Sequence, residues 1–164
     1  ARCTLRILPP LPQAFPSLVS ERIGELPLHA VASATHPLAA FGHRIPRREL
    51  AKHVQLVLTD RSDLTAGRDF GVASPSTWRL ADLSTKHAFL RDGVGWGGMP
   101  LHMIDRALAA GTLVVLDVDE MPRTGWMLTM SAYHPSSELP GPAGRWFIEQ
   151  LKARWQPPAA MRAL

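Results

Sequence analysis

Apolar and polar positions along the chain switch between a period of two and a period near 3.6, and each switch marks an element. In residues 77–100, Trp78, Leu80 and Leu83 form a short, nearly alternating run that predicts a strand. His87, Ala88, Leu90 and Arg91 continue as a helix, whose first turn either Asp82 or Ser84 can cap by accepting its free N–H groups. Gly93 supplies the stop, and residues 94–100 (VGWGGMP) read as a glycine-dense turn where backbone can approach another surface closely.

The rest of the chain continues the pattern. Residues 4–8 alternate as a strand, and Pro9, Pro10, Pro12 and Pro16 make the stretch to residue 17 an extended crossing segment. Val19, Glu21, Ile23 and Glu25 alternate, then Leu28, Ala30 and Ala32 follow Pro27, which predicts two tightly joined strands over 18–25 and 27–33. Pro46 opens a helix over 47–53 with Leu50 buried, and residues 55–58 (QLVL) form a short buried strand. A polar loop over 59–74 follows, and loops of that length are usually functional or mobile. Residues 101–110 form a helix with Met103, Ile104, Ala107 and Leu108 on its faces, and Gly111 ends it. Residues 113–116 (LVVL) are another buried strand, 117–125 a crossing loop, 126–133 a strand and 134–144 a turn-rich loop. A final helix over 145–155 is expected to turn Trp146, Phe147, Ile148 and Leu151 to the core, with a tail from Gln156. Strands alternating with helices of this size predict an α/β sheet.

Composition narrows the function. The chain has 164 residues, 46% of them hydrophobic, which suffices for a real core. No apolar run approaches the roughly 20 residues that span a bilayer, and Arg2 and Arg6 precede prolines rather than a secretory apolar core. A soluble, cytoplasmic protein with no membrane partner is expected. The net charge of +4 comes largely from scattered arginines, and the densest group, Arg44, Arg47, Arg48 and Lys52, has the spacing of a solvated helix face. No aromatic series is interleaved with it, so direct nucleic-acid binding is not its reading. Cys3 is alone, which excludes a disulfide framework.

Gly93, Gly95 and Gly98 spell GxGxxG, but the dinucleotide fingerprint needs a strand before it and a helix opening at its last glycine. Here a helix precedes it and Pro100 closes it, so a tight connection is preferred. His36 with His43, or His29 with His53, would have to converge to hold a metal, and no HxH or HxxxH spacing occurs. No metal or cofactor is expected, and His36 before Pro37 reads as a turn residue. No GxSxG elbow or anchored carboxylate pair appears, and Asp117, Asp119 and Glu120 read as a solvated acidic loop, so no catalytic residue and no enzyme is expected.

Several phrases occur in a specific order: Leu26-Pro27-Leu28, His36-Pro37-Leu38-Ala39, Arg48-Glu49-Leu50, the glycine turn into Met99-Pro100, and residues 108–116 (LAAGTLVVL). Their order and spacing, from about Leu18 to Trp155, resemble the effector-binding domain of LysR-type transcriptional regulators. The resemblance implies a periplasmic-binding-protein-like α/β fold of two subdomains with a ligand cleft between them. By analogy, residues 1–17 would be a crossing strand and linker, 18–120 the second subdomain, 121–155 the return strand and helix of the first, and 156–164 a tail. It also implies an N-terminal winged helix-turn-helix, for which there is no room before Leu18. The chain therefore reads as a C-terminal piece of such a regulator, and DNA would be a partner only through that N-terminal domain.

The resemblance places the loop after 55–58 at the cleft, which makes Thr59, Asp60, Arg61 and Ser62 candidate effector contacts. Hydroxyls and one guanidinium suit a small carboxylate, which arginine holds through two parallel hydrogen bonds. The competing reading is a solvated loop in which Arg61 pairs with Asp60 or Asp63. Gly95 and Trp96 could line a pocket with backbone N–H groups and an indole face, although Trp96 also suits a core position. Ser84 could offer helix N–H groups to an anion or act as a plain cap. The expected function is effector sensing: an organic acid or aromatic metabolite binds and changes how the full-length regulator engages DNA. The alternative is a stand-alone solute-binding or protein-interaction module. Exposed edges of a partial sheet would invite pairing, so a homo-oligomer is expected.

Overall fold

In the computed structural model, which describes residues 5–11, 15–59, 71–119, 121 and 123–155, the elements follow in order. They are β1 (Arg6–Leu8), β2 (Leu18–Ser33), a 3-10 turn (Pro37–Ala40), α1 (Arg47–Leu50), β3 (Gln55–Leu58) and β4 (Thr77–Leu80). Then come α2 (Leu83–Arg91), β5 (Trp96–Pro100), α3 (Leu101–Ala109), β6 (Leu113–Val115), β7 (Trp126–Pro135) and α4 (Pro142–Arg154). The chain divides into two compact units, residues 1–26 with 127–164, and residues 27–126.

The first unit places β7 between β1 and the first half of β2. β1 runs antiparallel to β7, with Arg6 opposite Tyr133 and Leu8 opposite Ser131. Its core is Ile23, Ala132 and Ile148, with Leu5, Ile7, Leu151 and Trp155 packed around them. Trp146 and Phe147 do not join it: they are 64% and 44% exposed. The helical period explains this correction, because Gly144, Ile148, Leu151 and Trp155 already form one stripe at spacings of four, three and four. Trp146 and Phe147 fall beside that stripe.

The second unit orders its strands β2, β5, β3, β4, with β6 on the opposite edge of β2 from β5. β5 is antiparallel to β2 and parallel to β3, and β3 is parallel to β4. Two apolar layers cover the sheet. One gathers Ala30, Ala32, Leu38, Ile45, Leu50 and Trp96, and the other Val31, Leu56, Leu90, Met99, Ile104 and Leu113. Strand alternation delivers Trp96 and Met99, three residues apart, to opposite layers.

Three sequence expectations need correction here. Residues 18–33 form one strand, not two. Pro27, which has no N–H for a ladder, sits where the strand passes from one unit to the other, just before its register with β5 begins at Leu28. The glycine-dense stretch is a strand rather than a turn from Trp96 onward, because β2 and β3 flank it on both edges. The helix expected over 47–53 covers only Arg47–Leu50. The caps follow the sequence closely. Asp82 is the N-cap of α2, with its Oδ1 accepting the Thr85 N–H at 2.7 Å, and Gly93 ends that helix with a φ of 76°. His36 Nδ1 accepts the Leu38 N–H at 3.1 Å at the start of the 3-10 turn. Among the described residues no helix is long and apolar enough to cross a membrane.

Candidate functional site

The connections of the second unit fix where a ligand can sit. From β3 the chain goes to β4 on one side, whereas from β5 it goes through α3 to β6, beyond β2, on the other. Adjacent parallel strands whose chains leave in opposite directions form a topological switch point, and open α/β sheets bind ligands beyond the carboxyl ends of such strands.

Thr59 follows β3 directly, is exposed, and donates its backbone N–H to the Leu80 carbonyl at 2.8 Å. That bond ties the exit of β3 to the end of β4, two residues before the Asp82 cap. Ser84 is exposed on the first turn of α2, so it lies at the same end of the sheet as Thr59. Asp60, Arg61 and Ser62 lie outside the described residues.

The segment that leaves at Thr59 is fastened on its return by a residue that the sequence reading did not select. Gln55 is 4% exposed. Its Nε2 donates to the Gly71 carbonyl at 2.6 Å, and its Oε1 accepts the N–H groups of Ala73 at 2.8 Å and Ser74 at 3.0 Å. The Ser74 hydroxyl donates in turn to the His53 carbonyl at 2.9 Å. One buried amide thus satisfies three backbone groups, which is how a polar segment can be held against a core.

Lys86 is the second residue that was missed. It lies on α2 and is 5% exposed, and its Nζ donates to the Gly98 carbonyl at 2.7 Å. Its stem crosses Gly97, where a Cβ would come within 3.1 Å of Lys86 Cε and 2.6 Å of the Leu56 carbonyl oxygen. In the register that pairs Gln55 with Trp96, Gly98 stands level with Val57, two residues before Thr59. At the rise of a strand, that is about 7 Å along the seam. Burial draws the ammonium pKa down from 10.5 to about 8. A lysine in the sequence LSTKHAFLR reads as a surface residue; only the glycines beneath it hint otherwise.

Gly95 and Trp96 are placed elsewhere. Trp96 pairs with Gln55, the first residue of β3, and is 3% exposed in the apolar layer opposite Lys86. Its indole N–H has no hydrogen-bond partner among the described residues. Gly95 lies against the Val54 carbonyl, leaving no room for a Cβ. The structure brings Thr59, Ser84 and Lys86 to one end of the sheet and does not bring Gly95 and Trp96 to them.

Several of the other charged groups are locally paired. Lys52 and Arg48 meet Glu49, and Arg44 meets Asp119 at 3.0 Å. His36 and His53 stand edge to face with ring centroids 4.9 Å apart, and burial together with the His53 charge holds the His36 pKa below its usual value. Among the described residues no three His, Cys, Asp or Glu side chains gather as a metal site.

The family model described as LysR substrate binding domain matches residues 3–156. No curated protein matches the chain. Solved structures do. The MetR regulatory domain from Neisseria meningitidis, a LysR family regulator, superposes with a TM-score of 0.72 at 11% identity, covering 93% of this chain and 71% of that one. The regulatory domain of CcmR from Synechocystis PCC6803, in complex with 2-PG, gives 0.68 at 19% identity over 92% and 72% of the two chains. The effector binding domain of QuiR, in complex with shikimate, gives 0.64 at 16% identity over 93% and 71%. These are regulatory, non-enzymatic domains of mixed α/β architecture. With the model spanning nearly its whole length, the chain belongs to the LysR substrate-binding domain family.

Proposed function

We propose that the chain is the effector-sensing part of a LysR-type transcription regulator, binding a small organic acid or aromatic metabolite and changing how the full-length protein engages DNA. The observation that carries this reading is the switch point between β3 and β5, with Thr59 and Ser84 at its open end. Residues 60–62 continue the chain from Thr59, and among them the Arg61 guanidinium and the Ser62 hydroxyl supply groups that suit a small carboxylate. The complexes of the similar CcmR and QuiR domains with 2-PG and shikimate support an acidic ligand of that size. DNA contact belongs to an N-terminal domain of the whole regulator, and the protein works in the cytoplasm.

A second copy of the chain is the other partner in this reading. Among the described residues β1 and β4 terminate the strand order, and open strand edges favour pairing with another chain. Sedimentation at several concentrations is expected to show a reversible oligomer; a monomer throughout would count against it.

The test of ligand sensing is a thermal melt with a panel of small carboxylates and aromatics. A compound that binds only the folded form raises the midpoint with its concentration. At least one is expected to do so, with the rise reduced in Thr59→Val and Arg61→Ala. A cooperative melt that no compound moves would refute the reading.

A further inference from the structure

We propose that Lys86 is the anion-binding group of this site, and that the effector is a small organic acid whose carboxylate or phosphate docks on its ammonium. This rests on the sensing function proposed above and adds the ligand's charge and the residue that reads it.

The argument is one of position and incomplete pairing. Lys86 is one of only three lysines in the chain, and it is 5% exposed. Lysine is rarely buried unless something compensates its charge. An ammonium carries three N–H donors. Among the described residues only the Gly98 carbonyl engages one of them, and no carboxylate pairs with Lys86. β3 (QLVL) and β5 (WGGMP), over which the side chain lies, contain no titratable group. Just before α2, Asp82 caps the helix by accepting from Thr85, while β4 contributes the cation Arg79.

The fold goes out of its way to bring this charge to the seam. Gly97 leaves the space that the lysine stem fills, and a Cβ there would press on both Lys86 and the Leu56 carbonyl. The head group then rests on the Gly98 carbonyl of β5, the strand parallel to β3, near the carboxyl end where the switch point locates a ligand. A small anion entering there would meet a desolvated cation with N–H donors that none of the described residues engages, and a charge-assisted hydrogen bond in such surroundings is strong. A neutral compound of the same shape would leave the ammonium unpaired. The site thereby distinguishes acids from their esters and amides.

The experiment uses the 164-residue chain labelled with 13Cε-lysine, whose three side-chain signals are Lys52, Lys86 and Lys152. Lys86→Met identifies the middle one by its loss. Shikimate, benzoate and 2-phosphoglycolate are titrated beside methyl shikimate and benzamide, with calorimetry in parallel. At least one acid is expected to shift the Lys86 signal and raise its pKa by a unit or more, while its neutral counterpart does neither. A response to shikimate or benzoate assigns a carboxylate ligand, and a response to 2-phosphoglycolate alone, which carries both groups, assigns the phosphate. Lys86→Met is expected to weaken that acid at least tenfold, and Lys86→Arg to retain part of the binding. Equal binding by wild type and Lys86→Met, or by acid and neutral analogue, with the Lys86 signal unmoved, overturns the role of Lys86 and leaves ligand sensing intact. Binding of no compound, charged or neutral, overturns both. If Lys86→Met fails to fold, the wild-type Lys86 signal and its pKa decide alone.

Discussion

The side-chain oxygen of Gln55 accepts the Ala73 N–H at 2.8 Å, joining the first residue of β3 to the far end of the segment that leaves β3 at Thr59. The return of that segment is thus fastened to the beginning of β3 through a single buried amide. Gln55→Leu is expected to leave the Ala73 and Ser74 N–H groups buried without their acceptor. Each such loss costs about 1–3 kcal/mol, so urea unfolding should show a loss of about 2–6 kcal/mol. A change below ~0.5 kcal/mol would mean that other acceptors take over.

Lys86 sets a pH dependence of unusual sign. Unfolded, it binds a proton up to pH 10.5; folded, only up to about 8. Between those values the unfolded chain holds more protons, so stability rises with pH there, and below pH 8 the cost of the buried charge is complete. That cost is on the order of 3 kcal/mol, offset in part by the bond to Gly98. Without ligand, Lys86→Met should therefore be more stable than wild type at pH 7 by about 1–3 kcal/mol. The gain should shrink as the pH approaches 10.5, and urea unfolding at pH 7, 9 and 10.5 reads it.

Half-buried His29 and buried His36 act on the acid side. Desolvation is the main cause that lowers the pKa of both His29 and His36, with the His53 charge adding to it at His36. As pH falls through 6.5 the unfolded imidazoles protonate first, and the native state loses stability. The melting midpoint should fall between pH 7 and pH 5. His36→Asn keeps an oxygen for the Leu38 N–H but cannot titrate, so part of that fall should vanish.

Trp155 tests the first unit separately. Its indole lies where a Cβ on Gly24 would be, and its Nε1 donates to the Glu25 carbonyl at 2.8 Å. Gly24→Ala should displace the ring and destabilise the chain by about 1–3 kcal/mol, the usual cost of overpacking. Thermal melting and tryptophan fluorescence would show it; an unchanged midpoint would mean the C-terminal end of α4 contributes little.

Much of this molecule is written locally. The stops at Gly93 and Gly111, the cap at Asp82 and the buried strand QLVL follow from single residues and short periods, and the family follows from the order of a few phrases. What was not legible depends on partners far along the chain. Trp96–Pro100 reads as a turn by composition and is a strand because β2 and β3 flank it. Trp146 and Phe147 resemble core residues until the stripe through Ile148 and Leu151 is known. Lys86 and Gln55 are polar residues whose burial no period announces, since it is imposed by Gly97, Gly98 and the returning segment.

The opposite departures of β3 and β5 separate what the protein must keep from what it can vary. The strands and the glycines between them carry the folding information, while under the proposed reading the groups that meet a ligand come from the stretches that follow the strands, Thr59 after β3 and the first turns of α2 after β4. Each stretch can change length or composition without disturbing the pairing of the others. A sheet built this way lets descendants of one scaffold acquire new chemical preferences by exchanging rim residues, at little risk to the fold that holds them.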